Sequence, residues 1–239
     1  MTKPKATVVL VHGAWAECAS WSQIIAPLEK EGYQVICAPL PLTGLGDDVT
    51  SLQRLWGRTE GDIVLVGHAY AGAVIAAAKF ERVKLLVYIA ALAPDEGETV
   101  ADVFYREAPH ALAPKLAPDN DGLIWMSREG FDNAFAHDAV PEVKSVLFAT
   151  QRPIHVKCIQ EKSPLPLWKD KPSWFLVAEN DRMIPAKTQL FQAQRMGATV
   201  RAHAVDHSPM LTAPKVVVDV LLEAIEFTFG TSKPPLKEL

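Results

Sequence analysis

The sequence predicts an α/β domain centred on a doubly wound, mostly parallel β-sheet, with a helical cap inserted before the last two strands. Short, almost wholly apolar segments alternate with stretches whose apolar residues recur at helical spacing. Such segments are typical of parallel strands that are covered by helices on both faces. A chain of 239 residues, of which 49% are hydrophobic, can bury the core of one such domain.

The first four strands are expected before residue 92, each followed by a turn or a helix. They are the segments 7–11, 34–38, 63–66 and 83–91, in which Val, Ile and Leu predominate. Between the first two strands we expect a helix capped by Ser20 and ending near Gly32, because its apolar residues recur every three or four positions. A weak helix is expected around residues 49–56, and a helix of small residues follows the third strand.

The later part of the chain returns to the same alternation. Its predicted elements are a strand over 174–178, a helix over 186–196, a strand over 199–204 and an amphipathic helix with apolar positions from Val217 to Ile225. Each of these two strands is followed by a polar loop, which carries Asp181 in the first case and His207 in the second. The polar tail 232–239 is expected to fray.

The alternation of strands and helices is interrupted between residues 99 and 171. Prolines are frequent there, no buried strand is evident, and helical patches fall near 129–137 and 141–150. We therefore expect a core domain made of residues 1–98 and 172–239, with residues 99–171 as the cap. Four aromatic residues are expected to line a substrate pocket, although packing within the cap is an alternative role for the last three: Trp15, Phe104, Trp125 and Phe135.

Charge and histidine spacing exclude several classes of partner. The net charge is −4, and no Lys/Arg-rich run or zinc-finger spacing is present, which argues against a nucleic-acid partner. Four histidines show no metal-ligand spacing, so we expect no metal and no cofactor: His110, His137, His155 and His203. The expected partner is a small-molecule substrate or ligand, and a homodimer is compatible with the sequence.

Hydropathy and cysteine usage indicate a cytoplasmic protein. The longest apolar run, residues 85–93, is far shorter than the roughly 18 residues that span a membrane. The start of the chain, residues 1–5, and the short apolar run after it do not have the pattern of a signal peptide. Cys18, Cys37 and Cys158 are widely spaced, without a C-x-x-C motif, and are expected to be reduced thiols.

The stretch that carries the chemistry lies at residues 62–75, where a buried strand turns sharply into a helix. Small residues flank the bend, as a tight turn requires, because a larger side chain would collide across it. The turn presents the side chain of Ala69 above the end of the sheet. The backbone N–H of Tyr70 points into the same space. The five residues 67–71 have the sequence GHAYA.

This turn resembles the nucleophile elbow of the α/β-hydrolases, which has the pattern G-x-S-x-G. Alanine occupies both the serine position, Ala69, and the last glycine position, Ala71. Two further motifs support the resemblance: the sequence VHGAW at residues 11–15, and an Asp and a His after the last two strands. Nearly the full length is similar to the small esterase and hydroxynitrile-lyase branch. The lyases have lysine after their catalytic histidine, where this chain has Ser208.

The resemblance implies a role for each matching residue. Ala69 lies at the nucleophile position, Asp181 corresponds to the acid, and His207 to the general base. The backbone N–H groups of Ala14 and Tyr70 correspond to the oxyanion hole, which stabilises a developing negative charge.

Alternative roles for these polar residues stay open at this point. Asp181 is also placed to cap the following helix, His207 is also compatible with a structural role, and Asp95 is a second candidate for the acid. Asp206 is expected to be a solvated loop carboxylate. The two histidines His12 and His68 are expected to be structural.

Alanine at position 69 excludes the usual acyl-enzyme route, because it has no oxygen to acylate. Three hypotheses follow. The chain is an engineered variant of an active hydrolase, a natural protein that uses His207 as a base without a covalent step, or a pseudoenzyme that binds a small apolar ligand. Retention of both Asp181 and His207 favours the second hypothesis over the third, because a protein that only binds a ligand needs no oriented base. The substrate expected for a cap with few charges is a small, largely uncharged ester, lactone, amide or ketone.

Overall fold

The structure, a computed structural model, describes residues 6–230; the expectations for residues 1–5 and for the tail 232–239 concern residues outside this range. The strands are β1 (Thr7–Val11), β2 (Gln34–Ala38), β3 (Ile63–His68), β4 (Val83–Ile89), β5 (Leu123–Ile124), β6 (Ile154–His155), β7 (Ser173–Ala178) and β8 (Thr199–His203). The α-helices are α1 (Ser22–Lys30), α2 (Leu45–Gln53), α3 (Ala71–Ala77), α4 (Val100–Phe104), α5 (Arg128–Gly130), α6 (Pro141–Thr150), α7 (Lys157–Gln160), α8 (Ala186–Arg195), α9 (Pro209–Thr212) and α10 (Pro214–Phe229). Shorter helical turns of the 3₁₀ or π type are Cys18–Trp21, Arg54–Arg58, Phe131–Phe135 and Leu167–Lys169.

Six of the strands form one parallel sheet in the order β2-β1-β3-β4-β7-β8. Strand β1 lies beside the edge strand β2, and the strands from β3 onward build the sheet on its other side. The predicted fold class is therefore confirmed. Because all six strands run the same way, the loops that follow them meet at one edge of the sheet, which we call the carboxyl edge.

Successive side chains of the central strands point to opposite faces of the sheet. Val8 and Leu10 of β1 are buried against α1 and α10, whereas Val9 and Val11 are buried in the cluster that contains α2, α3 and α8. Both faces of β1 are fully buried. This explains why the strand is apolar at nearly every position. In the described part of the chain, no helix is both long and apolar enough to cross a bilayer.

The start of α1 differs from the prediction that Ser20 caps it. The helix begins at Ser22, and residues 18–21 form a 3₁₀ turn before it. The Ser20 hydroxyl donates to the Glu17 carbonyl oxygen at 2.7 Å within this turn. Trp21 is completely buried there and packs in the same cluster as β1, so burial of this large side chain sets the local geometry.

The segment between β4 and β7 contains four helices, α4 to α7, and the antiparallel pair β5 and β6. The sequence predicts no strand here, because each of these strands has only two residues, too few to show an alternation of apolar and polar residues. Helix α6 has the predicted bounds 141–150. The division into a cap, residues 99–171, and a core stays a prediction.

The turn between β3 and α3 is pressed against the end of β4. A Cβ atom on Gly72 would lie 2.3 Å from the Leu92 carbonyl oxygen, and one on Gly67 would lie 2.8 Å from the Ala71 carbonyl oxygen. Two backbone segments can approach this closely only where a side chain is missing. Gly72, one residue beyond the G-x-S-x-G pattern, therefore provides a close approach, and Ala71 is buried at 0% exposure beside it.

A buried carboxyl group connects this turn to two other segments. Asp48 in α2 accepts hydrogen bonds from the Leu42 backbone N–H at 2.7 Å, from the Tyr70 hydroxyl at 2.7 Å and from the Cys158 thiol at 3.7 Å. Burial raises the pKa of Asp48 to about 6, although the bonds from Tyr70 and Leu42 oppose this shift. Burial and the adjacent Asp48 also raise the pKa of Tyr70 well above its usual value, so its hydroxyl stays a donor.

We expect Gly72→Ala to lower the free energy of unfolding by about 3 kcal/mol, because the added carbon meets a backbone oxygen that cannot rotate away. Urea unfolding measures this change. The matched control is Gly57→Ala, since a Cβ there has no neighbour within 4 Å and the substitution should change stability by about 1 kcal/mol or less. Equal unfolding midpoints for the two variants would contradict the close approach.

We expect Asp48→Asn to remove a pH-dependent contribution to stability. A carboxyl whose pKa rises from about 4 in the unfolded chain to about 6 in the folded one binds more protons when folded, so it lowers stability as the pH rises through this window. As the pH rises from 4 to 7, the free energy of unfolding of the variant minus that of the parent should therefore increase by up to about 3 kcal/mol.

Urea unfolding at several pH values measures this difference. Asp47→Asn is the matched control, because Asp47 lies on the same helix with an exposed side chain. A constant difference between Asp48→Asn and the parent over this pH range would show that Asp48 does not titrate as described.

Candidate active site

An apolar cavity lies at the carboxyl edge, beneath the segment between β4 and β7. This edge is where open parallel sheets bind ligands. Ala69 and His207 both line the cavity, and Ala14 and Tyr70 adjoin them. The rest of the wall is mostly aliphatic or aromatic, from Leu92, Val100, Phe104, Leu116, Ile124, Phe135, Ile154, Ile159, Met183 and Ile184. This lining favours an uncharged ligand.

Ala69 occupies a strained position at the end of β3. Its φ of 50° lies in the left-handed region, which is unfavourable for a residue with a Cβ atom. Its N–H donates to the Ile89 carbonyl oxygen at 3.2 Å, and its carbonyl accepts from the Leu92 N–H at 2.9 Å and the Gly72 N–H at 3.1 Å. These bonds to the β4 end and to α3 hold the strained conformation.

Two backbone N–H groups next to Ala69 are free. Within the described residues, neither the Ala14 nor the Tyr70 N–H has a hydrogen-bond partner, although both residues line the cavity and are nearly buried. Unpaired buried N–H groups are rare because they carry a desolvation penalty. Both N–H groups can therefore donate hydrogen bonds to an oxygen atom of a ligand in the cavity.

The loop that carries Ala14 is held by its neighbour Trp15. The Trp15 N–H donates to the Arg152 carbonyl oxygen at 3.1 Å, and its indole N–H donates to the Ile124 carbonyl oxygen at 2.9 Å. Trp15 has a φ of 57°, a second left-handed residue at this edge. The segment between β4 and β7 thus positions the loop after β1 through two hydrogen bonds.

His207 and Asp181 form a buried hydrogen-bonded pair at the cavity. His207 Nδ1 lies 2.8 Å from Asp181 Oδ2, and their side chains are 2% and 0% exposed. The other carboxylate oxygen of Asp181, Oδ1, accepts from the Met183 and Ile184 N–H groups at 2.7 and 2.8 Å. Because Nδ1 faces a carboxylate, it carries the proton, and Nε2 is left as the basic nitrogen. Within the described residues, Nε2 has no hydrogen-bond partner.

A second histidine holds the backbone of the first. His68 Nε2 donates to the His207 carbonyl oxygen at 2.8 Å, and the two rings lie 4.8 Å apart. Burial and the nearby His207 keep the pKa of His68 well below its usual value, so His68 is neutral. Its role here is structural, which agrees with the expectation.

His12 is also buried and neutral. Its Nε2 accepts from the Leu40 N–H at 3.1 Å, which leaves Nδ1 to donate to the Gly13 carbonyl oxygen at 2.9 Å. Burial lowers the pKa of His12 to about 4. The ring therefore joins the loops after β1 and β2, and it does not line the cavity.

Two candidate residues, one aromatic and one acidic, lie away from the cavity. Trp125 lies outside the cavity with 51% exposure and donates to Asp119, because its neighbour Ile124 takes the inward position. Asp95, the second candidate for the acid, pairs with Lys169 at 2.6 Å.

Asp206 is fully buried, so the expectation of a solvated carboxylate is wrong. Its Oδ1 accepts from the Ser208 N–H at 3.1 Å and the Thr212 hydroxyl at 2.6 Å. The Ser208 hydroxyl in turn donates to the Phe135 carbonyl oxygen at 2.6 Å. Asp206 therefore closes the turn that follows His207 instead of facing solvent.

The sequence analysis missed one residue that touches the His–Asp pair, Gln189 in α8. Its Nε2 donates to Asp181 Oδ2 at 2.9 Å. The sequence carries no signal for it, because the burial that marks it out is visible only in the folded chain: Gln189 and Gln192 are 0% exposed, whereas Leu190 between them is 38% exposed. Polar residues on the inner side of a helix that packs on a sheet, with an apolar residue outside, indicate a specific hydrogen-bonding role.

No candidate metal centre accompanies these residues. Over residues 6–230, no group of three or more His, Cys, Asp or Glu side chains is placed to hold a metal ion.

Comparison with known proteins gives relatives of similar length. The alpha/beta hydrolase nvfD of Aspergillus novofumigatus (strain IBT 16806) is 22% identical over 248 residues, covering 94% of this chain and 97% of the relative. The carbendazim hydrolyzing esterase of Nocardioides sp. (strain SG-4G) is 30% identical over 127 residues, covering 47% of this chain and 51% of the relative.

Solved structures share the fold as well. The crystal structure of polyneuridine aldehyde esterase superposes with a TM-score of 0.79 at 17% sequence identity, covering 93% of this chain and 99% of that chain. The family described as "Alpha/beta hydrolase family" matches residues 8–220, almost the whole of the described chain. The protein therefore belongs to the alpha/beta hydrolase family.

Proposed function

We propose that this protein acts on the carbonyl group of a small, largely apolar substrate, with His207 as a general base and without a covalent intermediate. The observation that carries the proposal is the buried His207–Asp181 pair, whose Nδ1–Oδ2 distance is 2.8 Å and which adjoins the cavity that Ala69 lines. A carboxylate in this position orients the imidazole and stabilises its cation. A protein that only binds a ligand has no need for such a pair.

In the proposed reaction the base and the free N–H groups act together. His207 Nε2 takes a proton either from a water molecule that attacks the carbonyl carbon or from a carbon next to the carbonyl. The carbonyl oxygen gains the electron pair in both cases, and the N–H groups of Ala14 and Tyr70 stabilise it. The proton on His207 then returns to the leaving group or to another atom of the substrate. Proton and charge balance without an oxidant or a metal.

The cavity wall and the family support the proposed substrate class. The cavity lining is almost entirely apolar, so a charged substrate would lose its hydration without a partner. Relatives include an esterase that hydrolyses carbendazim and a polyneuridine aldehyde esterase. An ester, lactone, amide or ketone fits both observations.

A second candidate function is binding without catalysis, as a sensor or carrier. The absence of an oxygen nucleophile at Ala69 favours it, because family members that form an acyl-enzyme depend on that atom. The cavity would then serve as the binding site for the same apolar class of ligand.

We expect Ala69→Ser to raise hydrolysis of a short-chain aryl ester by at least about 10³-fold, because the base, the acid and the free N–H groups already surround position 69. Steady-state kinetics of the purified parent and variant measure this. The control is Ala69→Ser combined with His207→Ala, which should return the rate to that of the parent. Equal rates for parent and Ala69→Ser would mean that the site no longer supports the serine route.

We expect His207→Ala to abolish any activity that the parent shows on carbonyl compounds, and to leave the fold intact. A screen of esters, lactones, amides and ketones, with circular dichroism as the check on folding, measures this. The matched control is His12→Ala, a buried histidine away from the cavity. If the parent binds an apolar compound and His207→Ala changes neither its affinity nor any turnover, the binding function is correct instead.

A further inference from the structure

From the contacts of the His–Asp pair, we infer that Gln189 is a positioning residue that holds the Asp181 carboxylate in register with His207. The inference rests on the proposed function only for its catalytic consequence. The position of Gln189 along the sequence does not require a contact with Asp181, because the two residues lie on different sides of the turn that begins α8. The contact exists only in the folded chain.

Gln189 makes three side-chain hydrogen bonds from a completely buried position. Its Oε1 accepts from the Ala178 N–H at 3.0 Å. Its Nε2 donates to Asp181 Oδ2 at 2.9 Å and to the Ile184 carbonyl oxygen at 2.8 Å. The amide thus joins the end of β7, the Asp181 carboxylate and the start of α8.

The partners determine which way the amide points. Ala178 offers an N–H, so the oxygen of the amide must face it. Asp181 Oδ2 and the Ile184 carbonyl are both acceptors, so the NH₂ group must face them. The opposite orientation would place an oxygen against two oxygens and two N–H donors against each other. In the observed orientation, the amide oxygen of Gln189 faces a donor and its NH₂ group faces two acceptors.

This geometry explains why a glutamine is needed. Asp181 Oδ2 receives two donors, His207 Nδ1 at 2.8 Å and Gln189 Nε2 at 2.9 Å, while Oδ1 receives two backbone N–H groups. With all four bonds in place, rotation of the carboxylate would break several at once. Without the Gln189 donor, Oδ2 would be held by His207 alone, and the carboxylate could turn about Oδ1, which the two backbone N–H groups still hold.

A neighbouring glutamine provides a matched control. Gln192 lies one turn further along α8 and is also 0% exposed. Its Nε2 donates to the Ala91 carbonyl oxygen at 3.3 Å and the Thr188 carbonyl oxygen at 3.1 Å, and its oxygen accepts from the Ala93 N–H. None of these hydrogen bonds involves Asp181. Replacing either glutamine removes a buried amide group from the same helix, but only the replacement of Gln189 removes a hydrogen bond to the His–Asp pair.

The test follows the His207 Nδ1 proton by NMR in the full chain. A proton shared between an imidazole and a buried carboxylate resonates downfield and exchanges slowly, and its absence in His207→Ala assigns it. We expect Gln189→Met to shift or broaden this resonance and Gln192→Met to leave it unchanged. Gln189→Glu is the second variant, because it keeps the shape and the acceptor for Ala178 but places an oxygen against Asp181. It should perturb the resonance as well.

The catalytic consequence is measured in the Ala69→Ser background with an aryl ester. Gln189→Met should lower kcat by about 10- to 100-fold with little change in KM, because the base is misplaced while the cavity is kept. An inactive Ala69→Ser protein overturns the proposed function but leaves the NMR test valid, so the two failures are distinguishable.

Two results would overturn the positioning role. One is an unchanged His207 resonance in both Gln189→Met and Gln189→Glu. The other is failure of both variants to fold while Gln192→Met folds, since Gln189 would then be a requirement of the fold and not of the pair.

Discussion

The close contact between the β3–α3 turn and the end of β4 is the constraint on which the rest of the site depends. It requires Gly72, because a Cβ would lie 2.3 Å from the Leu92 carbonyl oxygen, and it fixes both backbone groups of Ala69. Within residues 6–230, the N–H of Tyr70 has no hydrogen-bond partner at the cavity wall. Because an unpaired buried N–H is costly, this group is available to donate to an oxygen atom of a ligand.

Three buried polar side chains then fix the loops around this turn. Asp48 joins Leu42 to Tyr70, Asp206 closes the turn after His207, and Gln189 joins β7 to Asp181. Buried polar groups are tolerated only where their hydrogen bonds are made, so each of them specifies one loop geometry. Loops after parallel strands lack the regular backbone hydrogen bonds of a sheet. At the carboxyl edge, hydrogen bonds from these side chains hold the loops instead.

Alanine at position 69 offers no oxygen nucleophile within this framework. The His207–Asp181 contact and the apolar cavity are present beside it. Hydrogen-bond donors and an oriented base retain value for any reaction in which a carbonyl oxygen gains charge, whereas a covalent nucleophile matters only for acyl transfer. This is the physical reason for proposing a carbonyl reaction without an acyl-enzyme.

The sequence by itself determined the strands of the sheet and the turn between β3 and α3. Runs such as 7–11 and 63–66 are apolar on both faces, and small residues mark the tight bend, so local chemistry alone identifies them. Only the tertiary structure decided which carboxyl contacts His207, that Asp206 is buried, that Trp125 faces outward and that the two-residue strands β5 and β6 pair. These features depend on contacts between residues far apart in the chain, made by irregular loops that carry no periodic pattern. Burial of Gln189 belongs to the same group, because the partner that explains it is reached only once α8 packs against β7.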